Sequence, residues 1–391
     1  MARQEHPDSI AGRIVTGTAI GVGALAAAVG IAAGIITVIF ARTVVTPPTK
    51  RQEDVEILAN DELTITLSAT LDSLTPGQYS LWFDRDAGHA RVGEILSFTA
   101  DTVTRQLLGV DFGDLGRARR GRFSGWFYLS PEELGLPFQD VLIDTEFGSA
   151  PAWLVPAAGP SARWMIGVHG RAVRRQETLR SVPVFRGEGY TSLLVSYRND
   201  GDAPRTPDHR YALGDTEWRD VEAAMQYAVD NGAREIVLMG WSMGGATVLQ
   251  AATRSPLARF VRGIVLESPV VDWVSALKFQ GALNRLPKPL ERGVLGLLSQ
   301  RWGGILTGQS TPIDLRRLDF VGRAAELRLP VLLLHSDDDG YIPVDASKAL
   351  AGARPDIVTF EEFTTARHTK LWNYDAERWN AAIAAWLRKL G

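Results

Sequence analysis

Short unbroken apolar runs alternate with amphipathic stretches through the second half of the chain. They are Arg163-Trp164-Met165-Ile166-Gly167-Val168, Thr191 to Tyr197, Ile236 to Met239, Gly263 to Leu266 and Val331 to Leu334. Runs of this length fit strands buried on both faces, and the helical stretches between them predict a mostly parallel sheet covered by helices on both sides. Upstream the period falls to two. Glu62-Leu63-Thr64-Ile65-Thr66-Leu67 and Tyr79-Ser80-Leu81-Trp82-Phe83 alternate around the turn signal Thr75-Pro76-Gly77, so residues 53–137 read as a small β-rich segment. No nucleophile–base pattern is visible in that segment, which reads as structural or as a platform for partners. Phe138 to Thr145 and Ala152 to Pro156, separated by Phe147-Gly148-Ser149, predict a hairpin that opens the unit 138–391.

A different pattern occupies the amino terminus. Behind a short tail of residues 1–13, no charge occurs from Ile14 to Ala41, a run dominated by Ala, Gly, Ile and Val. Its length predicts a transmembrane helix over 14–41, since a cleaved signal peptide has an apolar core of only about 7–15 residues. Pro47 and Pro48 then mark an extended linker, 42–52. Arg3 and Arg13 on one side balance Arg42, Lys50 and Arg51 on the other, so charge alone does not orient the span. A short tail, one span and a large following unit match a signal anchor, with the expectation of a single-pass membrane protein whose main unit lies outside the cytoplasm.

Composition narrows the chemistry. The 391 residues are 45% hydrophobic and 22% charged, as in a folded protein, and a net charge of −3 offers no general affinity for nucleic acid. Cysteine is absent, which removes disulfides, thiolate catalysis and cysteine-ligated metals. The scattered histidines and the Asp337 to Asp339 run form no metal-ligand spacing, and Gly240 to Gly245 lacks a dinucleotide fingerprint, so no cofactor or metal is expected. The excess of arginine over lysine and the abundance of alanine point to a bacterial source.

The sharpest signal is Gly240-Trp241-Ser242-Met243-Gly244-Gly245, placed between the apolar run Glu235 to Met239 and the helical stretch Ala246 to Ala252. A serine on a tight strand-to-helix turn, with glycines two residues to either side, is a candidate nucleophile beside the free N–H groups of a helix start. With the strand pattern, this motif resembles the α/β-hydrolase superfamily, and in particular the bacterial serine esterases, lipases and serine aminopeptidases. The resemblance covers about Phe138 to the carboxyl terminus.

The resemblance implies a triad running Ser, acid, His along the chain. It selects His368 as base, the only histidine beyond every predicted strand, preceded here by Arg367 where many relatives carry glycine. It selects Asp339 as acid, four residues after His335 and four before Pro343, with Asp272 as a rival position. The oxyanion hole would use the backbone N–H groups of Met243 and of Arg171, the residue after His169-Gly170. The implied reaction is acyl transfer from a carboxylic ester through an acyl-enzyme on Ser242.

Arg171, Arg174, Arg175 and Arg180 crowd the loop after the first predicted parallel strand, and Arg174 and Arg175 become candidates for holding an anionic small-molecule or lipid acyl substrate. Residues 273–329 form an insertion at the position of the family's cap, with Leu290, Val294, Leu297, Leu298 and Trp302 at helical spacing; Leu298 and Trp302 are candidate pocket residues. Two other readings stay open: a peptidase or amidase with the same triad, and a catalytically silent binding module.

Overall fold

The computed structural model describes residues 30–390, of which residues 30–45 form helix α1. Most of the predicted span 14–41 therefore lies outside the described residues. Among those described, no helix is long and apolar enough to cross a membrane. The predicted linker starts later than expected: α1 runs on through residue 45, since Pro47 and Pro48 interrupt the helix only from that point. Nor is the end of α1 free of the protein. Thr37, Ala41 and Val45 are buried, and Ala41 and Val45 belong to the main core.

The alternating segment closes into a six-stranded barrel made of β1 (Val55–Asn60), β2 (Thr64–Ser68), β3 (Tyr79–Phe83), β4 (Gly88–Phe98), β5 (Thr102–Phe112) and β6 (Arg120–Ser124). Strand order is β1-β2-β5-β4-β3-β6, with β6 pairing back onto β1 so that no edge remains open. One side chain of each alternating pair fills the interior, including Ile65, Leu67, Leu81 and Phe83. Arg105 is fully buried, and its guanidinium donates to the carbonyls of Gly93, Ser73, Thr75 and Gly77. Four carbonyl acceptors replace the water that this cation has lost.

The second sheet has eight strands: β7 (Gln139–Thr145), β8 (Gly148–Val155), β9 (Arg163–Val168), β10 (Thr191–Val195), β11 (Glu235–Trp241), β12 (Val261–Glu267), β13 (Val331–Ser336) and β14 (Val358–Phe363). Their order is β14-β13-β12-β11-β9-β10-β8-β7. The β7–β8 hairpin is antiparallel to its neighbours, and the pairs from β10 to β14 are parallel. Because the inner parallel strands are buried on both faces, successive residues feed two cores: Leu238 joins one cluster while Val237 and Met239 join the other. Helices α3 (Trp218–Asp230) and α4 (Met243–Arg254) contribute to the first cluster; α2 (Val182–Gly187), α9 (Leu371–Tyr374) and α10 (Ala376–Leu390) contribute to the second.

Sheet order reverses at β9, which pairs with β10 on one side and β11 on the other. Crevices in open α/β sheets form at the carboxyl ends of strands where such a switch occurs. Here those ends lead into Gly170-Arg171 and into Ser242. Between β12 and β13 the insertion supplies α5 (Trp273–Leu283), α6 (Lys288–Ser299) and α7 (Gly304–Thr307). Helix α1 lies against this insertion, with Thr37 in close approach to Gly293 of α6.

Candidate active site

Ser242 joins β11 to α4 with φ 50° and ψ −117°, a left-handed geometry that costs a non-glycine residue energy and persists because its surroundings hold it. Both flanking glycines are sterically required. A Cβ on Gly240 would meet Gly244 O at 2.5 Å, and one on Gly244 would meet Val168 O at 2.3 Å. The serine backbone is pinned to the neighbouring strand and loop, since its N–H donates to Glu267 O (3.1 Å) and its carbonyl accepts from Val270 N–H (3.1 Å). Beneath it, the buried Glu267 carboxylate accepts from Trp241 Nε1 (2.8 Å) and Trp379 Nε1 (2.9 Å).

From the loop after β14, His368 places Nε2 3.0 Å from Ser242 Oγ and Nδ1 2.7 Å from Asp339 Oδ2. Asp339 stands in the turn after β13, before α8 (Val344–Ala353), nearly without exposure. Its Oδ1 accepts from the backbone N–H groups of Tyr341 (2.8 Å) and Ile342 (2.9 Å), and His335 Nε2 lies 3.1 Å from Oδ2. Burial pushes this carboxyl up, but the opposing charge and hydrogen bonds of His368 and His335 outweigh it and hold the group well below the usual range. Asp339 therefore stays ionised, and His368 Nδ1–H donates to it, leaving Nε2 to face the serine hydroxyl. Asp272 does something else: its carboxylate caps α5, accepting from Val274 N–H (2.9 Å) and Ser275 N–H (3.2 Å).

Met243 opens α4, where backbone N–H groups have no acceptor within the helix. Arg171 borders the same cavity as Ser242, in a loop fastened on both sides. Gly170 N–H donates to Glu177 Oε2 (2.7 Å), Tyr197 O–H donates to Gly170 O (2.7 Å), and Ala172 N–H donates to Asp200 Oδ2 (3.1 Å). Burial raises both carboxyls, Asp200 to about 7. His169 is buried beneath the loop, with Nδ1 2.8 Å from Gly170 O and its ring stacked on Tyr197; burial pushes it down to about 4, so it stays neutral. The bracing acids Glu177 and Asp200 are invisible to a motif reading, for they lie 6 and 29 residues beyond Arg171 and meet its loop only through the fold.

The arginines expected to bind substrate have other partners. Arg171 turns its guanidinium onto the end of α1, donating to Thr43 O (2.6 Å) and Val44 O (3.0 Å) of its last turn and to Thr46 O (3.1 Å) just beyond it. Arg175 stacks on Trp153 and donates to Ser196 Oγ (3.2 Å), while Arg174 lies near Asp202. Arg180 is fully buried and joins this loop to the histidine loop, donating to Thr369 O (2.9 Å) and Asn373 Oδ1 (2.6 Å). Neither Arg174 nor Arg175 borders the cavity at Ser242. Leu298 and Trp302 do not border it either: Leu298 faces inward into the main core, and Trp302 is more than half exposed in the turn between α6 and α7.

That cavity measures about 410 Å³ and runs between α1 and the insertion. Ile36, Ile39 and Phe40 of α1 form one wall, and Trp273, Leu277 and Leu286 form the facing one. The wall contributed by α1 was missed in the sequence because an uncharged helix reads as lipid-facing until its contacts are known.

The barrel is tied to the histidine loop by Asp72, which receives Lys370 Nζ at 2.7 Å, and by Asn373 Nδ2, which donates to Gln78 O (2.8 Å). The barrel also holds a hydrogen-bonded Ser–His–Asp set that the sequence did not reveal. His89 Nε2 is 2.7 Å from Ser80 Oγ and Nδ1 is 2.7 Å from Asp111 Oδ2. Ser80 and His89 are wholly buried and the serine hydroxyl donates to Trp126 O (2.6 Å), so this set cross-links strands and presents no nucleophile.

The sheet order, the serine elbow and the Ser242–His368–Asp339 contacts define a hydrolase-type α/β protein. The chain belongs to the alpha/beta hydrolase family, whose family model matches residues 154–385, and the barrel matches a domain of unknown function, DUF8805, over residues 56–124. No curated protein sequence matches the chain. Among solved structures it is similar to the Pyrococcus furiosus esterase Pf2001, at 18% identity and TM-score 0.52 over 68% of this chain and 95% of that one. It is also similar to Est1E from Butyrivibrio proteoclasticus, solved with ferulic acid bound, at 16% identity and TM-score 0.50 over 64% and 98% of the two chains. At these identities the likeness is one of fold.

Proposed function

We propose that this chain is a serine-dependent carboxylic ester hydrolase. The observation that carries the proposal is the hydrogen-bonded path from Ser242 Oγ through His368 to the ionised Asp339, opening on an apolar cavity. In this reading Ser242 Oγ attacks the ester carbonyl carbon as its proton passes to His368 Nε2, and Asp339 stabilises the imidazolium. Negative charge on the carbonyl oxygen faces the N–H groups of Met243 and Arg171. Collapse expels the alkoxide, which takes the proton from His368; water activated by the same histidine then releases the acid and restores Ser242. The strained elbow and the doubly fastened loop hold the serine and the second donor in place before substrate arrives.

Labelling of wild-type and Ser242→Ala protein with a fluorophosphonate, together with turnover of p-nitrophenyl esters and p-nitroanilides, tests this reading. Labelling lost in the variant and turnover confined to esters are expected. Absence of labelling in folded wild-type protein would count against it, and faster turnover of anilides would make the protein an amidase. The uncharged run 14–41 favours a membrane anchor, and the layout of a short tail, one span and a large following unit favours placing the catalytic unit on the outer side. Protease accessibility in spheroplasts tests that placement.

A further inference from the structure

The substrate class can be read from the cavity wall. Apart from Ser242 and Arg171, most of its lining is aliphatic or aromatic, and the exceptions carry little polarity into it. Gln280 uses its amide on Tyr341 O (2.5 Å), and the Arg171 guanidinium donates to two carbonyls of α1 and to that of Thr46 just beyond it. A sugar or an acidic group placed here would find fewer partners than its hydration supplies, whereas a hydrocarbon chain would bury apolar surface along its length.

The α1 wall does not end at the cavity. Ile36 and Ile39 line it and are also 48% and 59% exposed, and Ile31 and Ile35 continue the exposed apolar face one to two turns back at 66% and 54%. Residues 31, 35 and 39 are four apart and share a face of the helix. An apolar track therefore leads from the exposed part of α1 to Ser242.

Resting on the ester hydrolase reading above, we propose that the substrate is a long-chain acyl ester, whose chain lies along the Ile31–Ile35–Ile39 face of α1 and enters the cavity between α1 and α5. Helix α1 is then part of the acyl-binding site as well as a connection to the amino terminus. Short acyl groups would reach Ser242 without touching most of the track.

The test compares kcat/KM of the full chain on p-nitrophenyl acetate, octanoate and laurate with that of Ile39→Asp and Ile36→Asp. Both positions are about half exposed, so a carboxylate there is solvated in the folded protein, and matching melting temperatures check this. Wild-type protein is expected to favour laurate. Each variant is expected to lower the laurate-to-acetate ratio at least about tenfold, since a charge beside the chain withdraws several methylenes' worth of contact. Ester turnover that favours acetate, or a ratio unmoved in both variants, would overturn the acyl track while leaving the hydrolase reading intact. No turnover of any ester and no fluorophosphonate labelling would overturn both.

Discussion

His335 Nε2 lies 3.1 Å from the same Asp339 oxygen that accepts from His368 Nδ1, so one carboxylate oxygen serves two imidazoles. His335 is wholly buried on β13, and its Nδ1 is 2.8 Å from Ser347 Oγ on α8. It is a positioning residue that acts through Asp339. Replacement His335→Ala is expected to lower kcat about tenfold with little change in KM, because the acid loses a restraint while the pocket is untouched. His335→Gln retains a donor and should recover part of the loss. A change confined to KM would show that His335 plays no such part.

Arg171 connects the oxyanion loop to α1 through three carbonyls at the helix end, a favourable place for a cation. Arg171→Ala keeps the backbone N–H but frees the helix. We expect a stability loss of about 1–3 kcal/mol in denaturant titration, from the lost charged hydrogen bonds. Amide hydrogen exchange should quicken across residues 42–46, with a larger fall in turnover of long-chain than short-chain esters. Arg171→Lys would not restore the set, since one ammonium cannot reproduce the planar fork.

Asp200 gives a pH dependence to stability. Burial raises its carboxyl to about 7, above the ordinary unfolded value, so the folded state holds a proton that the unfolded chain has released. Stability from this group is complete below about pH 4 and declines as pH rises towards about 7. Wild-type protein is expected to lose melting temperature between pH 5 and pH 8, and Asp200→Asn, which cannot ionise, should lose less over that interval. Parallel curves for the two proteins would assign the trend to other groups.

The serine elbow was legible in the sequence because its requirements are local: a strand, a left-handed turn residue and glycines whose absent Cβ atoms let chain segments pass within van der Waals contact all fall within the eleven positions from Glu235 to Gly245. The alternating segment was legible as β structure for the same reason, although closure into a barrel depends on β6 finding β1 across more than fifty residues. The cap was legible as an insertion, but which of its residues face the cavity was not. Leu298 and Trp302 share the helical spacing of the stripe, yet one is buried in the core and the other stands in solvent.

What the sequence by itself determined is therefore the chemistry available near Ser242 and the periodicities that make a doubly covered sheet. Only the tertiary structure decided where the arginines spend their charge and what the apolar amino-terminal helix touches. Hydrophobicity records that a residue avoids water without naming its neighbour, so lipid and protein are equivalent destinations until packing chooses. Residues 37, 41 and 45 of α1 chose the protein, and with them Ile36 and Ile39 came to wall the cavity at Ser242.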